Sequence, residues 1–345
     1  MATWQLSNVF HHQTHGWTWY FWYKDSTWYS SIAYGWYRQA PHLSGAPESA
    51  AFFPLLPALI RLCLYPTLFH KAWAGLIVAV LPGGASAILV WALASRVRDR
   101  WTADRAVLLY CAFPGAMMFA SLYSEPLGIA LAAATLLAAV NRKWLLAGVC
   151  ALFATAEHPT LIVLAPTLGI CALHAIWTRR DWRALIAPVL APLGMLGYFA
   201  WIGTRYHDYL FWFQLERRYW GQHIDFGVTT YNRLTFHWTG SWGANHGDFA
   251  LMCDLIFWAL LTGSILMLAA RVSLPVSAYT VLLFISVTLS SGGGPRPRLA
   301  WTGIGIFVGA SAKLPWWLYW PALAVSAASL CFVVAWWAYH PITNP

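Results

Sequence analysis

Apolar stretches separated by short polar turns occupy most of the chain. A helix needs about 20 apolar residues to cross about 30 Å of hydrocarbon, and candidate stretches fall near residues 72–94, 105–122, 126–141, 144–157, 160–177, 184–204, 250–270, 273–290, 299–312 and 316–338. They predict an all-α integral membrane protein, a polytopic helical bundle of about ten transmembrane helices forming a single domain over residues 1–345. Within it, residues 1–70 form an outer-face segment, 72–204 and 250–338 the helices, and 205–249 a long outer loop.

Sidedness follows from where Lys and Arg collect, because cytoplasmic loops carry the excess of positive charge. The clusters are Arg96, Arg98 and Arg100; Arg142 and Lys143; Arg179, Arg180 and Arg183; Arg271; and Lys313. With those loops cytoplasmic, the opposite face receives residues 1–70, the turn 124–126, the turn at Glu157 and His158, the loop 205–249 and the segment 291–298. Nearly every other polar feature is there. The outer loop also carries Arg205, Arg217, Arg218 and Arg233, balanced in part by Asp208, Glu216, Asp225 and Asp248. That basicity fits an anionic ligand, or a local error in the assigned topology.

Composition agrees with lipid as the solvent: 59% of residues are hydrophobic and 10% charged, against about 25% charged in soluble domains. The 17% aromatic content exceeds what a packed core needs, and indole and phenol rings favour membrane boundaries. The formal charge of +9 is scattered in short clusters without the continuous basic stripe of a nucleic-acid binder. Nucleic acid is therefore excluded, while some clusters suit anionic membrane lipids. The six cysteines lie in apolar stretches without CxxC spacing, which indicates neither a disulfide framework nor a zinc site. Residues 1–24 lack the basic start and apolar run of a cleavable signal.

Candidate chemistry lies on the outer face. Asp25 sits among aromatic residues in the segment 22–37, beside Lys24, Trp28 and Tyr29. Burial against rings raises a carboxyl pKa and a lysine lowers it, so Asp25 is either a tuned general base or an interfacial acid paired with its neighbour. The segment AFFPLLPALIRL is interrupted by Pro54 and Pro57 and reads as a short interfacial helix with Arg61 toward the headgroups. Glu125 precedes Pro126 and Glu157 with His158 precedes Pro159. Each acid is a helix cap or a carboxylate at the floor of an outward cavity. His207 with Asp208, His223 with Asp225 and His246 with Asp248 pair histidine and acid in the outer loop, but the spacings match no metal site. Arg296 and Arg298 follow three glycines at the outer end of a span. They are interfacial arginines of a turn or phosphate ligands, a task for which the planar guanidinium is suited.

In their order along the chain, DSTWYSSIAYGWY, AFFPLLPALIRL and LYSEPL resemble motifs of the GPI mannosyltransferase II-like (PIG-V-like) family, bacterial members included, within the GT-C class of polytopic glycosyltransferases. PRPRL resembles a weaker C-terminal Pro-Arg motif. The resemblance implies a GT-C-like fold, a polyprenyl-phosphate or dolichyl-phosphate mannose donor, and inverting transfer to a glycolipid, glycan or protein acceptor on the periplasmic or luminal face. It matches Asp25 to the catalytic base and Glu125 to the second-motif acid; beside it, the guanidinium chemistry places Arg298, Arg296 and Arg61 as the expected ligands of the donor phosphate. Lys24, Trp28, Tyr29, Glu157 and His158 are expected at the substrate. No cofactor is called for, and a divalent metal is not indicated. Two departures stand out. Family members carry a transmembrane helix before the acid, where residues 1–24 precede Asp25, and His158 replaces an arginine frequent in relatives.

The expected home is the bacterial plasma membrane, or the endoplasmic reticulum in a eukaryote. Two alternatives remain open: a catalytically silent subunit completed by a partner subunit, and a lipid or solute transporter. A transporter typically shows internal repeats and ionisable residues at mid-membrane, whereas here the polar residues gather at one face.

Overall fold

The computed structural model describes residues 25–37, 47–64, 71–238, 248–291 and 296–339. Among these every regular element is helical, with one isolated antiparallel bridge between Ile224 and Ser290. Helix α1 (Asp25–Gly35) leads through a 3-10 turn (Pro47–Ala51) to α2 (Leu55–Leu64). Then come α3 (Lys71–Val97), α4 (Arg100–Ala112), a 3-10 segment (Pro114–Ala120), α5 (Glu125–Val140), α6 (Trp144–Thr155), a 3-10 turn (Pro159–Val163) and α7 (Leu164–Arg179). After them run α8 (Ile186–Leu190), α9 (Leu193–Tyr206), and two helices of the outer loop, α10 (Phe211–Tyr219) and α11 (Val228–Trp238). The chain ends with α12 (Asp248–Ala269), α13 (Leu274–Thr288), short α14 (Pro297–Trp301), α15 (Ile304–Lys313) and α16 (Trp316–Tyr339).

Four stretches are long and apolar enough to cross a membrane: Ile77–Val97, Pro159–Arg179, Trp182–Tyr206 and Trp316–Ala335. Shorter apolar helices, among them Glu125–Val140 and Cys253–Ala269, lie with them. The protein is a multi-pass integral membrane protein.

Several boundaries differ from those of the apolar runs. The stretch expected at 105–122 starts earlier, where Asp99 caps α4 by accepting from the Thr102 N–H at 2.8 Å, and its helix stops at Ala112 because Pro114 cannot continue it. A 3-10 segment carries the chain to Ser121. The run at 299–312 is likewise divided, α14 ending before Gly303 and α15 beginning after it. Both interruptions lie near Arg298.

Small residues decide the packing. α5 buries Gly128, Ala130, Ala132, Ala133, Ala138 and Ala139, so α3 and α6 pack closely on it, as interfaces between helices in lipid require. Gly115 is a tighter case, since a side chain there would run into Trp301 and the Pro297 carbonyl. α14 thus lies directly on the 3-10 segment, and fully buried Trp301 locks it there by stacking on Tyr110 at 4.9 Å and donating to the Tyr110 carbonyl at 3.0 Å.

Two sets of hydrogen bonds join helix ends and turns that are distant in sequence. In one set Arg96 donates to the Asn141 side chain at 2.8 Å and Trp144 to Asp181 at 2.8 Å. In the other, Leu55 donates to the Ala156 carbonyl at 3.3 Å, Asp225 N–H to Leu289 at 3.1 Å, and Arg298 to Asp25 at 3.1 Å.

Candidate active site

Two helix N-termini converge at one end of the helical bundle. Asp25 is the first residue of α1 and Glu125 the first of α5, positions where a carboxylate meets the positive end of a helix dipole. Between them α14 delivers Arg298, whose Nη1 lies 3.1 Å from Asp25 Oδ2 and 3.4 Å from Glu125 Oε1. The Glu125 side chain is 1% exposed, whereas those of Asp25 and Arg298 are 15% and 16% exposed. The pair with Asp25 is therefore the accessible one. The Arg298 guanidinium also lies over the Tyr123 ring at 5.6 Å, a cation–π contact. Close by in sequence, Ser26 Oγ, Ser121 Oγ and Arg298 Nε are buried without a hydrogen-bond partner among the described residues. Buried polar atoms are normally paired, so the site presents hydrogen-bonding capacity beyond what the protein consumes.

The AFFP segment builds the wall beside this cluster. Its carbonyls are held from outside: Tyr37 donates to Phe52 at 2.7 Å, Tyr198 to Ala50 and Phe52 at 2.9 Å, and the Trp212 indole to Ala51 at 3.0 Å. The Phe52 ring is clamped by Trp28 at 5.6 Å, Tyr29 at 5.2 Å and Trp220 at 5.7 Å. Aromatic residues from α1, α9 and the outer loop thus meet on one turn.

Further titratable groups line the same region. Buried Glu157 lies in the turn after α6, where burial pushes its carboxyl well above the ordinary range, the nearby Leu56 N–H lowers it in part, and Glu125 raises it further. The Tyr29 hydroxyl is raised by burial first, then by Glu157 and Glu125, and lowered by a hydrogen bond with Ser124. His158 is pushed down to about 3 by burial and by Arg298, so it is neutral. Its Nδ1 faces the Thr160 N–H at 3.3 Å and the Thr160 hydroxyl at 2.7 Å.

The structure therefore brings together Asp25, Glu125 and Arg298, with Tyr29, Glu157 and His158 around them and Trp28 in the adjoining wall. Arg61 is elsewhere. It donates to the Ala33 and Tyr34 carbonyls at 3.3 and 3.4 Å, so it closes the C-terminal end of α1, about 13 Å along the helix axis from Asp25. Arg296 is the N-cap position of α14, and Lys24 lies outside the described residues. Among the described residues no group of three His, Cys, Asp or Glu side chains is arranged to hold a metal ion.

Sequence reasoning missed Glu216, on α10 of the outer loop. Its carboxyl is pushed up to about 7 by burial and by the charge of Asp25, against a lowering effect of Arg298. One signal was present: Trp212, Glu216 and Trp220 recur every four residues, the spacing of one helix face.

The arrangement of helices is similar to that of ArnT from Cupriavidus metallidurans bound to undecaprenyl phosphate, with a TM-score of 0.56 and 16% identity over 87% of this chain and 58% of ArnT. It is also similar to AglB from Archaeoglobus fulgidus in complex with an inhibitory peptide and a dolichol-phosphate, with a TM-score of 0.50 and 12% identity over 98% of this chain and 51% of AglB. AglB is an archaeal oligosaccharyltransferase. This chain has a GT-C fold. It spans 58% of ArnT and 51% of AglB. No protein-family model and no curated protein matches the sequence, so the GT-C likeness rests on structure.

Proposed function

We propose that this chain is a membrane glycosyltransferase that moves a sugar, mannose on the strength of its sequence motifs, from a polyprenyl-phosphate donor to an acceptor at the outer face, with inversion. The observation that carries this reading is the Arg298 guanidinium held between Asp25 and Glu125, with its Nε buried and unpartnered among the described residues. The fold supports it, since ArnT was solved with undecaprenyl phosphate and AglB with a dolichol-phosphate.

In this mechanism the donor phosphate competes with Asp25 for Arg298 and engages the free Nε–H, an exchange that suits a partly accessible guanidinium fork. Glu125, buried at the N-terminus of α5, keeps its hold on Arg298 meanwhile. Asp25, released from its ion pair, takes the proton of an acceptor hydroxyl. The oxygen attacks the anomeric carbon, the bond from that carbon to the phosphate oxygen breaks, and the lipid phosphate departs on Arg298. The acceptor is a glycolipid, glycan or protein that approaches from the side of the outer loop.

The test is transfer of radiolabelled mannose from polyprenyl-phosphate mannose into a membrane lipid extract by purified protein in lipid. General-base removal is worth about 10²- to 10⁴-fold in rate, so Asp25→Asn is expected to lose that much turnover while donor binding persists. Undiminished turnover in Asp25→Asn rules out the base; no transfer by the wild-type protein moves the chain to the class of silent subunits.

A further inference from the structure

We propose that Glu216 is a working carboxylate of this site, paired with Asp25, which accepts from it the proton taken from the acceptor hydroxyl and passes it to the outer aqueous face. The proposal rests on the glycosyl-transfer reading above and adds the route by which the proton leaves.

Geometry places the residue. Trp212 and Trp220 lie four residues before and after Glu216 and therefore share its face of α10. Both rings are fixed on the AFFP segment: Trp212 is 5.9 Å from the Phe53 ring and donates to the Ala51 carbonyl, and Trp220 is 5.7 Å from Phe52. Phe52 in turn stacks on Trp28, one helical turn beyond Asp25 in α1. The face carrying Glu216 is thus pinned at two points to the wall that adjoins Asp25. Leu215 is buried, whereas Arg217 and Arg218 on the remaining faces are exposed, so the acid is the charged residue of α10 turned inward.

The surrounding charges support the role. The elements packed against α10 are the 3-10 turn Pro47–Ala51, which carries Glu48, and α9, which carries Tyr198, Arg205 and Tyr206; Asp25 on α1 and Arg298 on α14 add charge at the site. Of these, Asp25 and Arg298 act on the Glu216 carboxyl, and with burial as the largest cause its pKa stands at about 7. A carboxyl there both takes and gives a proton at physiological pH. When donor phosphate occupies Arg298, the opposing positive charge is shared and the repulsion between the two acids grows, the condition under which coupled carboxylates share one proton.

The balance is simple. The acceptor O–H bond breaks and an O–H bond forms on Asp25; that proton moves to the Glu216 carboxylate and then to water. Asp25 is ionised again for the next turnover, and the proton released matches the negative charge gained by the lipid phosphate.

Two measurements test the proposal. In the first, the protonated-carboxyl infrared band of the protein in lipid is titrated. A band that disappears near pH 7, is absent in Glu216→Gln and moves to lower pH in Asp25→Asn supports the pairing; a titration unaffected by either substitution overturns it. In the second, mannose transfer is followed against pH. Glu216→Gln is expected to lower kcat on the order of tenfold to a hundredfold with little change in KM and to abolish the limb near pH 7, and Glu216→Asp to restore part of both. Wild-type kcat and pH profile in Glu216→Gln sink the proposal. Should the wild type transfer no sugar while the band behaves as stated, the transferase reading falls and the pairing of the two acids stands.

Discussion

Arg298 meets Asp25 across 273 residues of chain, Nη1 to Oδ2 at 3.1 Å, and with the same nitrogen it approaches Glu125 at 3.4 Å. One cation thereby ties the first described helix to the central helix α5 and to the C-terminal region. Breaking a buried ion pair leaves an uncompensated charge, at a cost of about 3–5 kcal/mol. The same contact serves assembly and chemistry, and substitutions can separate the two.

Arg298→Lys keeps the charge but loses the planar fork and the buried Nε donor. Lysine is not equivalent to arginine at a phosphate, so the donor KM is expected to rise about tenfold or more with a smaller loss of thermal stability. Arg298→Gln leaves two acids facing each other and is expected to lower the unfolding temperature strongly. A cycle with Asp25→Asn reads the pair directly: the double variant should be more stable than the sum of the single losses predicts. Strict additivity would mean that the observed pair contributes nothing.

Gly115 sets the position of α14, because a Cβ would collide with Trp301 and the Pro297 carbonyl. Gly115→Ala is therefore expected to push α14 away from the 3-10 segment and to move Arg298 from both acids. Overpacking of this kind costs about 1–3 kcal/mol, and a displaced catalytic group costs rate as well. Thermal unfolding and mannose turnover should fall together in this variant. Wild-type values for both would show that the contact relaxes without moving Arg298.

Much of the site was legible in the sequence because its polar residues had nowhere else to go. Asp25, Glu125, Glu157 and Arg298 interrupt apolar stretches, and the positive-inside rule, applied to the basic loops alone, assigns all four to one side. What escaped was mostly apolar. Trp301, Gly115 and Tyr198 carry no polar signal in a chain with this many aromatic residues, yet they hold the backbone that aims the charged ones. Arg61 reads in the sequence as a headgroup-facing or phosphate-binding arginine, and the structure adds acceptors that the sequence did not suggest, the Ala33 and Tyr34 carbonyls near the C-terminal end of α1. Glu216 was hidden in a loop read by its net basicity, and its tryptophan neighbours at four-residue spacing were not used.

The AFFP turn is held twice at one carbonyl, by Tyr37 at 2.7 Å and Tyr198 at 2.9 Å to Phe52 O. Tyr198→Phe leaves Tyr37 in place and should cost about 1 kcal/mol, with turnover little changed. The double variant with Tyr37→Phe strips the carbonyl of both donors. Its stability loss is expected to exceed the sum of the single losses, and turnover should drop because the turn also anchors α10. Thermal unfolding of the three variants in lipid decides it; simple additivity would mean that water replaces the lost hydroxyls.

Glu157 supplies a dependence on pH whose sign is fixed by its surroundings. Its folded-state pKa is raised, chiefly by burial, so its contribution to stability is complete below the ordinary carboxyl pKa of about 4.3. That contribution declines as pH rises toward the raised value, because the unfolded chain ionises while the folded one keeps its proton. Glu157→Gln imitates the protonated acid in shape and removes the titration. The wild-type unfolding temperature is therefore expected to fall between mildly acidic and alkaline pH more steeply than that of Glu157→Gln, the two curves approaching each other in acid. His158, with its pKa at about 3, acts in the other direction. It is fully stabilising above its unfolded value of about 6.5 and loses that contribution as pH falls toward 3, so the steep alkaline side belongs to Glu157 and not to the histidine beside it. Parallel curves for wild type and Glu157→Gln would show that Glu157 is ionised in the folded protein.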